Sequence, residues 1–185
     1  MAVLPIRKYG DPILRQKAAP SPAGAARLRQ LAADMIETMQ AASGIGLAAN
    51  QVGSGEALCV VEVGLIEEGT APRAFVNPEV VQTSSKMLTM EEGCLSIPEI
   101  EGEVDRHERI RVRFVDLQGR PQEEEFEGLF ARVLQHEIDH LNGVFFVDRL
   151  SPLKRRLLNK RLQALAEQTR LEMVAERNAG RGPKF

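Results

Sequence analysis

A short run late in the chain, His136-Glu-Ile-Asp-His140, constrains the fold and chemistry of this sequence more than any other feature. The apolar residues around it recur at helical spacing, at Leu129, Val133, Leu134, Ile138 and Leu141. Histidines four residues apart on a helix lie on one face, so both rings can reach one metal ion, with Glu137 beside them to accept a proton from water. Because the same spacing also occurs among ordinary core or surface histidines, a third ligand is needed to distinguish a metal site from these alternatives.

Several residues are candidates for the third metal ligand. Metalloproteases whose helix breaks at a glycine take a third histidine six residues after the second, but here that position is Phe146. His107 lies among charged residues ahead of a strand-like segment, where we expect a solvated side chain. Glu167 or Glu172, in a charge-rich C-terminal stretch, would make the protein a zinc peptidase with a glutamate ligand, and this alternative stays open.

The two cysteines differ in their surroundings. Cys59 lies within Ala-Leu-Cys-Val-Val, which predicts a small buried side chain. Cys94 lies in a segment bounded by glycine and proline, where a side chain is more exposed. Cys94, His136 and His140 together would leave a fourth position for water, as catalytic metal sites do. We therefore predict these three residues as metal ligands and Glu137 as the general base.

The first half of the chain predicts one helix followed by strands. Ser21-Pro22 is typical of a helix start, and helical spacing of apolar residues continues up to Gly44. A structured loop follows at 44–53, because its glycines permit conformations that other residues resist. Short apolar stretches then predict strands, at 57–63, 74–81 and 87–90.

The second half predicts a hairpin and two helices. Strict alternation from Arg109 and a turn ending at Pro121 indicate a hairpin that continues to Phe126. Ser151-Pro152 predicts the start of a terminal helix that runs to about Arg177. Its narrow apolar stripe consists of Leu153, Leu157, Leu158, Leu162 and Leu165. The order of elements favours an α+β fold, with mostly antiparallel strands around a central metal-binding helix and further helices at both ends.

Length and charge narrow the range of functions. The 185 residues suit a single domain, 1–185, with a disordered Gly/Pro/Lys tail at 178–185. A net charge of −2 gives no reason to expect DNA or a membrane as a partner. Two cysteines are too few for a disulfide framework, and the N-terminus lacks the apolar core of a signal peptide, so we expect a cytoplasmic protein.

Three segments in this order resemble the signature motifs of the peptide deformylase family. They are Gly-Ile-Gly-Leu-Ala-Ala-Asn-Gln at 44–51, Glu-Gly-Cys-Leu-Ser at 92–96 and Gln-His-Glu-Ile-Asp-His at 135–140. The resemblance extends from Pro5 to Leu150 and implies hydrolysis of the N-formyl group from the formyl-methionine of nascent polypeptides, with release of formate. It also implies Fe²⁺ in the cell, with Zn²⁺, Ni²⁺ or Co²⁺ as alternatives in purified protein.

The family's motifs give roles to further residues of this chain. Gln51 and the backbone N–H of Leu95 match the donors that face the developing oxyanion, a role that physical reasoning also supports. The family likeness places Ile45, Leu129 and Val133 along an apolar pocket for methionine. Backbone groups at Gly46 would pair with the extended substrate, and small residues such as Gly46 and Gly93 would suit a site that admits only a formyl group. Without the resemblance, Gln51 would be read as a turn cap, and Leu95, Leu129 and Val133 as plain core.

Two charged regions add expectations about partners. Glu99-Ile-Glu101-Gly-Glu103 stands where related bacterial enzymes often have a basic residue near the pocket mouth, and we expect Arg132 to supply positive charge there instead. The C-terminal helix carries a basic cluster, Lys154, Arg155, Arg156, Lys160 and Arg161. Related enzymes dock on ribosomal RNA through such a helix, whereas the alternative is a solvated face. A noncatalytic ribosome-binding protein with a vestigial site is the remaining alternative.

Overall fold

The computed structural model describes residues 2–22, 24–66 and 68–179. Helices and antiparallel strands are mixed, as predicted for an α+β fold. Their order is α1 Ala26–Ala41, β1 Gly46–Ala48, β2 Leu58–Val61, β3 Arg73–Thr83, β4 Met87–Cys94, β5 Ile97–His107, β6 Arg109–Val115, β7 Pro121–Glu127, α2 Gly128–Leu141 and α3 Pro152–Asn178. Within the described residues, none of these helices has the length and apolar character needed to cross a membrane. Of the predicted tail, residues 180–185 lie outside the described residues.

The strands form two separate antiparallel sheets. The larger sheet has the order β1-β2-β3-β6-β7, and the smaller is the hairpin of β4 and β5. Strand β6 shows the predicted alternation, since Ile110, Val112 and Phe114 are buried while the arginines between them are exposed. These arginines face glutamates of β7 across the hairpin, which keeps the outer face of the sheet polar.

Helix α2 packs between the two sheets and is buried on nearly all sides. Phe130 in its first turn packs against Phe126 and Phe75 of the large sheet, with the Phe126 and Phe130 ring centroids 4.7 Å apart. Each such buried ring contributes about 1.5–3 kcal/mol to folding. The helix ends before Gly143, whose φ of +73° and close approach to Arg15 exclude a larger residue. The helix that carries the histidine pair is therefore fixed along its whole length.

Two predictions about helices were wrong in detail. Helix α1 begins at Ala26, and Ser21 instead binds β3 and the start of β2: its backbone N–H donates to Asn77 Oδ1, and its Oγ accepts from Ala57 N. In α3 the predicted stripe is only partly buried, because Leu162 is in the core whereas Leu153 and Leu157 are exposed. Ser151 does cap α3, as predicted, by accepting a hydrogen bond from Lys154 N.

Strand β5 was not predicted from the sequence. Its buried residues Ile97, Ile100 and Val104 do not follow a period of two, because Glu99 has a φ of +61° and interrupts the alternation. His107 at its end was predicted to be solvated, yet it is half-buried, and its Nδ1 lies 2.7 Å from the carbonyl oxygen of Ser84.

Candidate metal centre

Helix α2 brings the two predicted histidine ligands together. His136 and His140 lie one turn apart, and their Nε2 atoms are 3.2 Å from each other. His140 is almost fully buried, and its backbone carbonyl accepts a hydrogen bond from Asn50 Nδ2. The two rings therefore converge on one point, as the spacing in the sequence predicted.

Cys94 reaches the same point from the end of β4. Its Sγ lies 3.2 Å from His140 Nε2, and the donor atoms of Cys94, His136 and His140 all lie within 4.8 Å of one another. A thiolate and two imidazoles in this arrangement are a donor set that suits Zn²⁺, Fe²⁺ or Co²⁺. The half-buried Cys94 and the buried Cys59 also match the contrast predicted between the two cysteines.

The glutamates proposed as alternative third ligands lie elsewhere. Glu167 is exposed on α3 and pairs with Arg170 at 2.6 Å, and Glu172 on the same helix accepts a hydrogen bond from Gln168. Among the described residues, the group that could hold a metal contains neither of them. The geometry thus gives the glutamate-ligand alternative no support.

Glu137 lies beside the three donors in a tightly enclosed position. Its Oε2 is buried and has no hydrogen-bond partner among the described residues. A Cβ at Gly46 would lie 2.8 Å from Val133 Cγ1 and closer still to Glu137 Oε1, so only glycine leaves this carboxylate its place. Burial raises the pKa of Glu137 to about 7, although His136 and Arg106 oppose the shift. A carboxylate with this pKa is suited to accept and return a proton near neutral pH.

In the metal-free protein the pKa values of the two histidines are shifted in opposite directions. Burial, helped by the nearby His136, lowers the pKa of His140 well below its usual value. Burial would also lower the pKa of His136, but hydrogen bonds to Cys94 and Glu92 raise it to about 10. Proton release from His136 therefore has to accompany metal binding.

A buried ionic network behind the histidines was not predicted. Glu92 Oε2 lies 3.0 Å from His136 Nδ1, which leaves the Nε2 atom of that ring facing the site. Arg106 donates to both oxygens of Glu92 at 2.9 Å and to Asp139 at 2.5 Å. Burial would raise the pKa of Glu92, but these hydrogen bonds hold it well below its usual range.

Arg132 lines the cavity, but its charge belongs to this network and is paired with Glu92, so it is not the free positive charge that was predicted at the pocket mouth. Its guanidinium is buried, donates to Glu92 Oε1 at 2.5 Å and also binds the carbonyl oxygens of Leu88 and Val104. In the sequence, a buried ion pair of this kind has no pattern that distinguishes it from solvated charges. The only available signal was the position of Glu92 two residues before Cys94.

Gln51 has a fixed orientation at the edge of the site. Its Oε1 accepts a hydrogen bond from Ala48 N at 2.8 Å, and its Nε2 donates to Ser96 Oγ at 3.1 Å and lies 3.6 Å from Cys94 Sγ. The turn-capping alternative is thus also realised, through Ala48. An amide nitrogen carries two hydrogens, so the one that faces the sulfur can serve a substrate while the other holds Ser96. Leu95 follows Cys94 in the turn between β4 and β5.

A cavity of about 430 Å³ opens onto Cys94, His136 and Glu137. All the predicted substrate-binding residues line it, namely Ile45, Gly46, Gly93, Leu129 and Val133. Its wall also contains three exposed carboxylates, Glu91, Glu99 and Glu101. The cavity combines an apolar floor with an acidic rim, and its size suits one side chain and a short stretch of peptide.

Comparisons with known proteins all point to one family. The family model for polypeptide deformylase matches residues 3–156. The chain is 48% identical over 168 residues to the peptide deformylase of Brucella suis biovar 1, covering 91% of this chain and 96% of that protein. The crystal structure of peptide deformylase from Thermus thermophilus has a TM-score of 0.84 at 42% identity, covering 92% and 99% of the two chains. The Plasmodium falciparum enzyme also has a TM-score of 0.84, at 33% identity, covering 90% of this chain and 97% of that one.

Proposed function

The chain belongs to the polypeptide deformylase family, and from this membership we propose how its residues remove the N-terminal formyl group from nascent peptides. Cys94, His136 and His140 hold the divalent metal ion of this hydrolase. The observation that carries the proposal is the convergence of their donor atoms within 4.8 Å of one another. Beside them lies Glu137, whose Oε2 has no hydrogen-bond partner in the part of the chain that the structure describes.

Each residue near the donors then has a definable task. A bound ion supplies a Lewis acid that polarises the formyl oxygen and acidifies water. Glu137 takes a proton from the attacking water and passes it to the departing amine. Gln51 Nε2 and the backbone N–H of Leu95 donate hydrogen bonds to the formyl oxygen as it becomes negative, and one such donor is worth about 2.7–4 kcal/mol in a comparable enzyme.

The cavity accounts for the choice of substrate. Ile45, Leu129 and Val133 surround the methionine side chain, and Gly46 pairs with the extended peptide backbone. The close packing around Gly46 would leave little room beside Glu137 for an acyl group larger than formyl.

The cysteines allow a matched test. We expect purified wild-type protein, kept anaerobic, to release formate from a formyl-methionyl peptide and to contain about one metal ion per chain. Cys94→Ala should lose most of its metal and its activity, whereas Cys59→Ala in the core should keep both. If Cys94→Ala kept its metal and its activity, the ligand assignment would be wrong. If the wild type with its full metal content released no formate, the vestigial-site alternative would be favoured.

The resident ion is proposed to be ferrous iron in the cell. The donor set also accepts Zn²⁺, Ni²⁺ or Co²⁺, so the test is metal analysis and activity of the same anaerobic sample, followed by exposure to air. Activity that falls in step with iron oxidation and returns after Co²⁺ or Ni²⁺ loading would support iron. Full activity in an iron-free sample purified without added metal would contradict it.

We also propose that residues 1–185 form one catalytic domain that works in the cytoplasm and docks on the ribosome through α3. Of the basic cluster, Lys154 pairs with Glu103, Arg155 with Asp148, and Arg161 with the carbonyl oxygen of Glu99. The charges of Lys154 and Arg155 are therefore partly neutralised within the chain itself, whereas Arg161 is held by a neutral acceptor.

Arg156 and Lys160 remain on the outer face of α3 beside the exposed Leu153 and Leu157, without an ion pair among the described residues. We expect the double change Arg156→Glu with Lys160→Glu to weaken salt-dependent ribosome binding by at least about tenfold. The control Lys17→Glu, on another face, should have little effect. Equal losses in the two proteins would mean that net charge, not this face, governs binding.

A further inference from the structure

We infer that the N-terminal segment Arg7–Tyr9 positions both proposed oxyanion donors, and that Lys8 is a positioning residue for the reaction. The inference rests on the roles proposed for Gln51 and Leu95. The segment is far from these residues in sequence, and none of its side chains lines the substrate cavity. It acts through the backbone that carries the donors.

Each residue of the segment makes one contact with the donor region. The backbone N–H of Arg7 donates to the carbonyl oxygen of Gln51 at 2.7 Å. Lys8 Nζ donates to the carbonyl oxygen of Leu95 at 2.7 Å, and the backbone N–H of Tyr9 donates to that of Ser96 at 2.8 Å. Three consecutive residues thus bind both sides of the oxyanion site.

The two sides are also joined to each other. Gln51 Nε2 donates to Ser96 Oγ, and Ser96 is fully buried. Tyr9 holds the backbone of Ser96, and Arg7 holds the backbone of Gln51 itself. The direction of the Gln51 amide therefore depends on two contacts with the N-terminal segment. Leu95 and Ser96 form the two-residue turn between Cys94 and Ile97, and a turn held only by its ends would be free to rotate its peptide groups. The contacts from Lys8 and Tyr9 restrict that rotation.

Lys8 is the member of the segment that mutation can test. Its contact comes from a side chain, whereas those of Arg7 and Tyr9 come from backbone N–H groups that substitution leaves in place. The segment has further anchors, because Arg7 packs over Gly53 and Gly10 is in tight contact with the backbone of Ala166. A change at Lys8 should therefore leave the fold and the path of the segment intact.

Preorganised donors lower the barrier without tightening ground-state binding, so a loosened donor reduces kcat more than it changes KM. Loss of a complete oxyanion donor costs about 10²–10³ in kcat. Lys8→Met should cause only part of this loss: kcat per bound metal ion should fall about tenfold, and KM should stay within about twofold of the wild-type value. Lys8→Arg, which keeps a charged donor, should recover most of the activity.

The experiment compares wild type, Lys8→Met, Lys8→Arg and the exposed-lysine control Lys17→Met. Formate release from a formyl-methionyl peptide is measured with metal content and Tm on the same samples, and amide hydrogen exchange of Leu95 is followed by NMR. Faster exchange at Leu95 in Lys8→Met, together with the kcat loss and its rescue by arginine, would support the inference. It would be overturned if kcat per metal ion stayed at the wild-type value, if KM alone rose, or if arginine gave no rescue. A wild type that releases no formate would refute the proposed function instead, and the exchange of Leu95 would still report on the role of Lys8.

Discussion

Replacing Arg106 by methionine should destabilise the protein far more than replacing any of its exposed arginines. The Arg106 side chain is 2% exposed and joins two carboxylates that are themselves buried, Glu92 and Asp139. Its removal would leave each carboxylate with a single arginine, Arg132 or Arg149. Methionine fills much of the same space, so the lost energy is mainly electrostatic and not a packing defect.

The size of the effect follows from this geometry. Breaking a buried ion pair by removing one partner costs about 3–5 kcal/mol, because the other charge stays buried without compensation. Since Arg132 and Arg149 remain, we expect the low end of this range, about 3 kcal/mol. Arg113→Met is the matched control: its pair with Glu123 is 3.3 Å long and largely exposed, so its loss should cost at most about 1 kcal/mol.

The free energy of unfolding should be measured by urea titration of chelator-treated protein, so that metal binding does not add to the stability of the folded state. A second measurement is metal affinity, which should fall about 10–100-fold in Arg106→Met because Glu92 no longer holds His136 in one orientation. If Arg106→Met and Arg113→Met destabilised the protein equally, the buried network around Arg106 would not be what stabilises the metal site.

Other predictions concern catalysis, pH and substrate charge. Gly46→Ala should lower kcat by at least about 10² with metal content unchanged, because the new methyl group displaces Glu137, the proposed general base; steady-state formate assays would measure this. The pKa of Glu92 in the folded state lies below its value in the unfolded state. The contribution of Glu92 to stability is therefore complete above pH ~4.3 and is lost as the pH falls further. Urea midpoints of metal-free protein should show this loss, and Glu92→Gln should reduce the pH dependence. The acidic rim should favour formyl-methionyl peptides with a lysine at the third residue over those with a glutamate there, by up to about fivefold in kcat/KM at low salt. Glu101→Lys should reverse this preference. Equal kcat/KM values for the two peptides would contradict the prediction.

The elements predicted well from sequence are those whose buried side chains follow a regular period. Strand β6 buries one regular set of apolar residues, so the pattern marks its inner face. In α2 the apolar spacing marks the helix, although the helix also buries polar and charged residues that the pattern does not predict. The group of residues that could hold a metal was predictable because His136 and His140 share a helical turn, and because Cys94 differed from Cys59 in its flanking residues.

The elements missed are those in which charge is buried or the backbone is irregular. Strand β5 buries Arg106 and changes phase at Glu99, so a search for alternating apolar residues does not find it. The partners of Glu92 come from β5 and α2, and only the folded chain brings them together. Local patterns therefore predicted the ligands but not the groups that orient them.

The sulfur ligand and the two ring nitrogens come from segments separated by about forty residues, with β5, β6 and β7 between them. A chain in which helix α2 has not yet docked can offer an ion only one of its three donors or only the other two, and each part alone binds weakly. An ion held by all three donors would therefore be captured only after α2 has docked against the β4–β5 hairpin. Once bound, it would link the hairpin to the helix, so its removal should loosen the contact between these two units more than the interior of either.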